Sequence, residues 1–471
     1  MTTESEIRAR FVAASQGHVF NGFDSLPEDA KISFLNQLES IEVEKLASLY
    51  QSALADLQDV VDESRITPFS KNVARATDDS DGYMSKARGL GMAAIQQNQV
   101  GVLVLAGGQG TRLGFDGPKG MYDIGLPSSH SLFQMMAERI QKLCSMAALD
   151  GERPCIPWYI MTSPVNHQQT VQFFQDKNNF GLDDGSVHFF EQGMLPCITE
   201  DGKIIMESAS KVAMAPDGNG GIYPSLKKSG TLDDMKTRGL KYLHVFSIDN
   251  ALVKPADPAF VGHCIAEGAD CGNKVLWKSS AHETVGVLAE KEGKPCIVEY
   301  SEISKEMAER TDENGRLVFG AANICNHFYT LDFINNVIVP NLGNLYHIAR
   351  KKIPYYDAET MQTVTPTAKN GIKLESFIFD VFPLSKSMSV LDVLRSEEFA
   401  PVKNAPGSPS DSPDTAREMM SALAKKWVEE AGGILKGDLN SVCEVKRLTS
   451  YGGEGLEEIV KGKEIECPFT L

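Results

Sequence analysis

The sequence has no apolar run long enough to cross a bilayer, which takes ~20 residues, although 42% of its 471 residues are hydrophobic. Its first residues, MTTESEIRARF, are polar and lack the apolar core of a secretory signal. Its last, ECPFTL, are neither a peroxisomal address nor a prenylation box. A cytoplasmic location with no membrane partner is therefore expected. The nine cysteines include no Cys-x-x-Cys pair. An odd count without zinc spacing argues against both a disulfide framework and structural zinc. None of the nine histidines stands at a metal spacing such as His-x-x-x-His, and no Gly-x-Ser-x-Gly elbow occurs. Nothing in the chain calls for a covalent nucleophile. Positive charge is scarce: 46 basic against 63 acidic residues give a net charge of −17, which argues against nucleic acid as a partner. If an acidic protein binds polyphosphates, it must gather a few cations and backbone N–H groups in one place.

The length exceeds one ordinary core, since domains run ~100–200 residues. Residues 1–97 read as helical. From Ser25 to Val61 the apolar positions Leu35, Leu38, Ile41 and Leu46 recur at steps that line one helix face, and Ser25-Leu-Pro-Glu28 has the spacing of a capping box. This region is read as a packing or oligomerisation element, which leaves a homodimer open. At Val100 the texture changes. Val100 to Ala106 is a β-branched apolar run of the kind found in buried parallel strands. A glycine-rich loop follows to Gly120, and then an amphipathic helix from Ser131 to Leu143. Strand, loop and helix in this order open an α/β unit. Further strands are predicted at Trp158–Thr162, Val187–Phe190 and Tyr242–Ile248, with a helix from Gln168 to Asp176. The unit spans 98–395. Pro401 to Pro413 is rich in Pro, Ser and Gly and reads as a loop, and 396–471 reads as a small C-terminal α+β domain.

The loop is Leu105-Ala-Gly-Gly-Gln-Gly-Thr-Arg-Leu-Gly114, followed by Pro118-Lys-Gly120. Glycines after a strand let backbone N–H groups approach a phosphate. The dinucleotide fingerprint fails here, because its third glycine position is Leu113. The P-loop fails because no Gly-Lys-Ser/Thr follows. What remains is a glycine loop carrying two cations, Arg112 and Lys119. It can cradle a base and an α-phosphate with its backbone while the cations neutralise the outer phosphates.

This string resembles the signature of the eukaryotic-type UDP-sugar pyrophosphorylases. Its continuation Pro118-Lys-Gly-Met-Tyr-Asp123 is similar to the UDP-N-acetylglucosamine (UDP-N-acetylhexosamine) branch. The resemblance implies a Rossmann-like, GT-A-like nucleotidyltransferase domain with a mixed, mostly parallel sheet. It implies nucleotide binding by Leu105, Ala106, Gly107, Gly108, Gln192 and Gly218. An amide such as that of Gln192 offers a donor and an acceptor, which suits the edge of uracil. Where this chain has Glu191, the family more often has Gln. Substrate contacts are implied for Asn219, Gly286, Glu299, Asn323, Phe377 and Phe379, the two aromatics lining a pocket for the N-acetyl methyl. By the residues alone, Phe377-Ile-Phe379 reads as alternation along a strand. Asp249, at the end of a strand, is the expected ligand of Mg²⁺ or Mn²⁺, and Lys403 joins Arg112 and Lys119 as a catalytic cation.

The implied reaction joins UTP to an N-acetylhexosamine 1-phosphate, giving UDP-N-acetylglucosamine and pyrophosphate. The attacking phosphate monoester is largely dianionic at pH 7, because its second pKa is ~6. In-line alignment and charge neutralisation then suffice, without a covalent intermediate. The rivals are the same chemistry on N-acetylgalactosamine or glucose 1-phosphate, a glycosyltransferase, and a non-catalytic UDP-sugar sensor. Asp249-Asn-Ala251 lacks the second Asp of a glycosyltransferase Asp-x-Asp. A sensor would not need cations facing pyrophosphate.

Overall fold

Every residue of Val100–Leu105 is buried, as expected of a strand covered on both faces. In the computed structural model, which describes residues 2–58, 63–69 and 73–471, this strand belongs to an eleven-stranded sheet. The strands are β1 (Ile66–Pro68), β2 (Val73–Arg75), β3 (Val100–Leu105), β4 (Trp158–Thr162), β5 (Val187–Glu191), β6 (Tyr242–Ser247), β7 (Cys271–Trp277), β8 (Val287–Lys291), β9 (Lys294–Val298), β10 (Ala321–Thr330) and β11 (Met388–Asp392). Along the main path the order is β2-β11-β7-β10-β6-β3-β4-β5, with β1 and β9 flanking β8, which pairs with β10. On the main path β10 runs antiparallel to its neighbours β6 and β7, and the other pairs are parallel. The sheet is mixed and mostly parallel, as the sequence led us to expect.

The chain divides into two units, and this sheet forms the second, Glu63–Glu191, Leu226–Ile338 and Phe382–Leu471. Helices α1 (Tyr83–Gln96), α2 (Leu132–Met146), α3 (His167–Asp176) and α4 (Pro258–Ala266) share a core with the sheet that includes Val102, Val104, Phe133, Ile140, Trp158 and Phe260. Ser131 caps α2 by accepting the N–H of Gln134. Near the C-terminus, α5 (Pro413–Glu430) and the parallel pair Ile434–Gly437 and Glu464–Cys467 enclose a small cluster around Val428, Leu456 and Val460.

The first unit comprises Met1–Asp62, Gln192–Ser225 and Val339–Val381. Helices Glu4–Ala13, Glu28–Ser40 and Val43–Gln58 pack Phe11, Phe34, Leu38, Ile41 and Leu46 with Ile198, Val212 and Ile372. The apolar positions read from the sequence are buried or partly buried, but not along one helix: the stripe is split over two, with Ile41 extended between them, and its end, residues 59–61, lies outside the described residues. The expected capping box does not form. Ser25 closes a 3₁₀ turn, Phe23–Ser25, and the helix begins from Pro27, whose carbonyl accepts the N–H of Lys31. Pro27 has no side-chain oxygen with which to cap it.

Candidate active site

Leu105 and Ala106 sit where β3 leaves the sheet, and their backbone groups are already engaged. Leu105 O accepts the N–H of Ile248, Ala106 N–H donates to Met161 O, and Ala106 O accepts from Asn166 Nδ2 at 2.9 Å. Gly107 and Gly108 are the first residues to reach solvent. The loop beyond them is tied across its base. Lys119 N–H donates to Gly108 O at 3.1 Å, and Gly110 N–H to Gly117 O at 2.8 Å. Leu113 is buried and anchors the turn that carries Arg112, whose side chain is exposed. Ser163 Oγ donates to Gly107 O at 2.9 Å. Buried Asn166 and Ser163, just after β4, therefore hold the loop in place. Neither is marked in the sequence, because a Ser and an Asn in a strand-to-helix turn carry no distinctive spacing.

β3 and β6 are parallel and pair Leu105 with Ser247, so Asp249 emerges at the same edge of the sheet as the glycine loop. Asp249 O accepts the N–H of Val402, and Ala251 N–H donates to Ala400 O. This short zipper delivers Lys403, whose Nζ lies 3.7 Å from the Asp249 carboxylate. Burial lowers the pKa of Lys119; Asp249 opposes this, and Lys403 and Arg112 add to it. The three cations and one carboxylate named from the sequence thus share one field. Beside them β10 bulges, with Cys325 at φ 53°. Burial pushes the Cys325 thiol up to about 12, Asp249 adding to the shift and Lys403 opposing it.

The donor set at Asp249 is one carboxylate, and among the described residues no group of three His, Cys, Asp or Glu side chains could hold a metal ion. That fits Mg²⁺, which keeps waters and takes one or two carboxylates together with substrate phosphates. It does not fit an ion that demands an all-protein cage.

Three other predicted residues come together in the same unit. Gly286 O accepts the N–H of Asn323 at 2.9 Å. A Cβ on Gly286 would lie 2.9 Å from Glu299 Oε1, so only glycine leaves this carboxylate its place.

The first unit holds the rest. Gln192 Nε2 donates to Gly218 O at 2.6 Å and faces Asp217 Oδ1 at 3.4 Å. Both partners are acceptors, which sets the amide with its oxygen turned away from them. Gly218 has φ 87°, and a Cβ there would lie 2.1 Å from Ser376 O. Asp217, unrecognised from sequence, is buried, and burial pushes its carboxyl up to about 6 against the opposing hydrogen bond from Gln192. Asn219 Oδ1 accepts the N–H of Ile378 at 3.0 Å. Phe377 and Phe379 do not lie on a strand. They occupy a turn after the strand Gly371–Glu375, in which Asp380 N–H donates to Phe377 O. Their rings are stacked at 5.2 Å and 13°, with Ile378 buried between them in sequence.

A family profile described as UTP–glucose-1-phosphate uridylyltransferase matches residues 43–433. The chain belongs to this UDP-sugar pyrophosphorylase family. Among its relatives, the probable UDP-N-acetylglucosamine pyrophosphorylase of Dictyostelium discoideum is 42% identical, over 100% of this chain and 98% of its own length. The UDP-N-acetylglucosamine pyrophosphorylase of Saccharomyces cerevisiae is 40% identical, covering 98% of both chains. The crystal structure of the uridine diphosphate N-acetylglucosamine pyrophosphorylase from Trypanosoma brucei in complex with an inhibitor superposes with a TM-score of 0.85. It is 30% identical and covers 98% of this chain and 95% of that one. The family resemblance drawn from the glycine loop therefore extends over the whole pyrophosphorylase chain, N-terminal helices included.

Proposed function

We propose that this chain is a uridylyltransferase that converts UTP and N-acetylglucosamine 1-phosphate to UDP-N-acetylglucosamine and pyrophosphate. The observation that carries this reading is the meeting of Lys119, Lys403 and Asp249 at the carboxyl edge of β3 and β6. Ligands of open α/β sheets gather at this edge, and a concentration of cations there, in a protein of net charge −17, suits a triphosphate. The full-length relatives named for N-acetylglucosamine support the choice of sugar, as do the paired rings of Phe377 and Phe379, an apolar wall suited to an acetyl methyl.

In this mechanism the glycine loop orients the phosphates through its backbone N–H groups. The sugar-phosphate oxygen attacks the α-phosphorus in line, and pyrophosphate leaves. Arg112, Lys119 and Lys403 counter the charge that builds on the transferring and leaving oxygens. Gln192, with its amide oxygen outward, accepts the N3–H of uracil, which cytosine lacks. Glu299 and Asn323 hold sugar hydroxyls. Asp249 would hold Mg²⁺, which when bound neutralises phosphate charge. A cytoplasmic location belongs to the same proposal, and nine free thiols suit a reducing compartment.

The test is pyrophosphate release from UTP with a panel of sugar 1-phosphates. The reading expects the highest kcat/KM with N-acetylglucosamine 1-phosphate. A preference for glucose 1-phosphate would replace the sugar assignment, and no release with any sugar would favour a sensor.

A further inference from the structure

The turn that carries Phe377 and Phe379 is fastened along its backbone. Ile378 N–H donates to Asn219 Oδ1 at 3.0 Å, and Ile378 O accepts from the Tyr223 hydroxyl at 2.6 Å. Phe377 N–H donates to Asp380 Oδ2 at 2.6 Å, and Asp380 N–H returns to Phe377 O at 3.0 Å. A turn held at so many points has little freedom in its main chain. The freedom that matters is rotation of the two half-buried rings.

His347 bears on that freedom. It opens the strand His347–Lys351, which pairs with Gly371–Glu375 in a register that sets His347 opposite Glu375, just before the turn. Its imidazole lies against the Phe377 ring, tilted at 30° with centroids 5.2 Å apart, and Phe377 in turn stacks on Phe379 at 5.2 Å. Its Nε2 sits 3.0 Å from Asp380 Oδ1. One carboxylate therefore holds both the backbone of Phe377 and the imidazole that lies against its ring. Asp380 is largely buried, with 10% of its side chain exposed, whereas His347 is 45% exposed. The ring can thus be changed without opening the core.

We propose that His347 and Asp380 are positioning residues, which hold the Phe377–Phe379 plate in the orientation that accepts the acetamido group of the sugar. This rests on the reading of the plate as the N-acetyl wall given above. If the imidazole is removed, Phe377 gains rotamers, and the wall that the acetyl methyl meets is no longer set in advance. A sugar without that group loses nothing.

The experiment measures dissociation constants of UDP-N-acetylglucosamine, UDP-glucose and UDP by calorimetry on the full-length protein, so it does not depend on turnover. His347→Ala is expected to weaken UDP-N-acetylglucosamine about tenfold and to leave UDP-glucose and UDP unchanged. His347→Phe, which keeps a stacking ring, should restore most of the loss. Asp380→Asn should fall between, since the carboxylate contact to the imidazole goes while the shape stays. Equal weakening of all three ligands, or no change with His347→Ala, would overturn the proposal. So would a His347→Phe variant as weak as alanine. Phe377→Ala separates the two layers. If it abolishes the preference for the acetamido ligand while His347→Ala does not, the wall stands and the positioning role fails. If it leaves the preference intact, the wall itself is wrong and the positioning role falls with it.

Discussion

The ammonium of Lys403 lies 3.7 Å from the Asp249 carboxylate, a pairing reached through the backbone zipper that joins Ala400–Val402 to Asp249–Ala251. Asp249 is mostly buried and Lys403 about half-exposed; a pair open to water on one side at 3.7 Å contributes on the order of 1 kcal/mol to stability, so the arrangement serves ligand charge more than folding. Lys403→Ala should therefore leave the unfolding midpoint nearly unchanged while lowering kcat by ~10²–10³. Asp249→Asn should raise the Mg²⁺ concentration needed for half-maximal rate, and chelation should stop the reaction. Metal titrations that superpose for the two proteins would show that Asp249 is not the ligand.

A buried ion cluster stands behind the same segment. Lys274 Nζ is 2.5 Å from Asp257 and 2.7 Å from Glu398, and Lys254 reaches Glu398 at 3.0 Å. Lys274→Met leaves two buried carboxylates without their shared cation, and such a break typically costs ~3–5 kcal/mol. Denaturant unfolding measures it; a loss below ~1 kcal/mol would mean that the carboxylates find other partners.

Gly218→Ala puts a side chain at φ 87° and a Cβ at 2.1 Å from Ser376 O. The backbone strain alone is ~1–3 kcal/mol, and relief requires the loop beside Gln192 to shift. The expected result is a lower melting temperature together with a raised KM for UTP. A variant with normal UTP affinity would detach this loop from base recognition.

Asp217 gives a pH signature. Its carboxyl is raised by burial to about 6, against an ordinary ~3.9. Between those values the folded state binds more protons than the unfolded one, so this group's contribution to stability falls as pH rises from ~4 to ~6. Asp217→Asn removes the dependence. Relative to the parent, the variant should be more favoured at pH 8 than at pH 4.5 in urea unfolding. An equal difference at both pH values would contradict the assignment.

Which features were legible follows from how each signal is carried. Val100–Leu105 and Trp158–Thr162 are buried on both faces, so they appear in sequence as unbroken apolar runs. The loop with Arg112 and Lys119 is a contiguous string and could be tested against templates. Phe377-Ile-Phe379 misled because a half-exposed, buried, half-exposed alternation is shared by strands and by this turn. The turn is set by the Asp380 carboxylate and by Asn219, a residue far away in sequence. Ser25 and Glu28 had the right spacing for a cap, but the intervening 3₁₀ turn claimed Ser25. Asp217, Asn166 and His347 act as single side chains through burial and contact, and neither quantity is written in a local pattern.

The proposed chemistry depends on the turn after β3, armed with Arg112 and Lys119, gripping the triphosphate of UTP. A crystal structure of the protein with bound UTP tests it most directly. Phosphate oxygens are expected within hydrogen-bonding distance of the backbone at Gly107 and Gly108 and of the Lys119 ammonium. A triphosphate found elsewhere, with this turn unliganded, would contradict it.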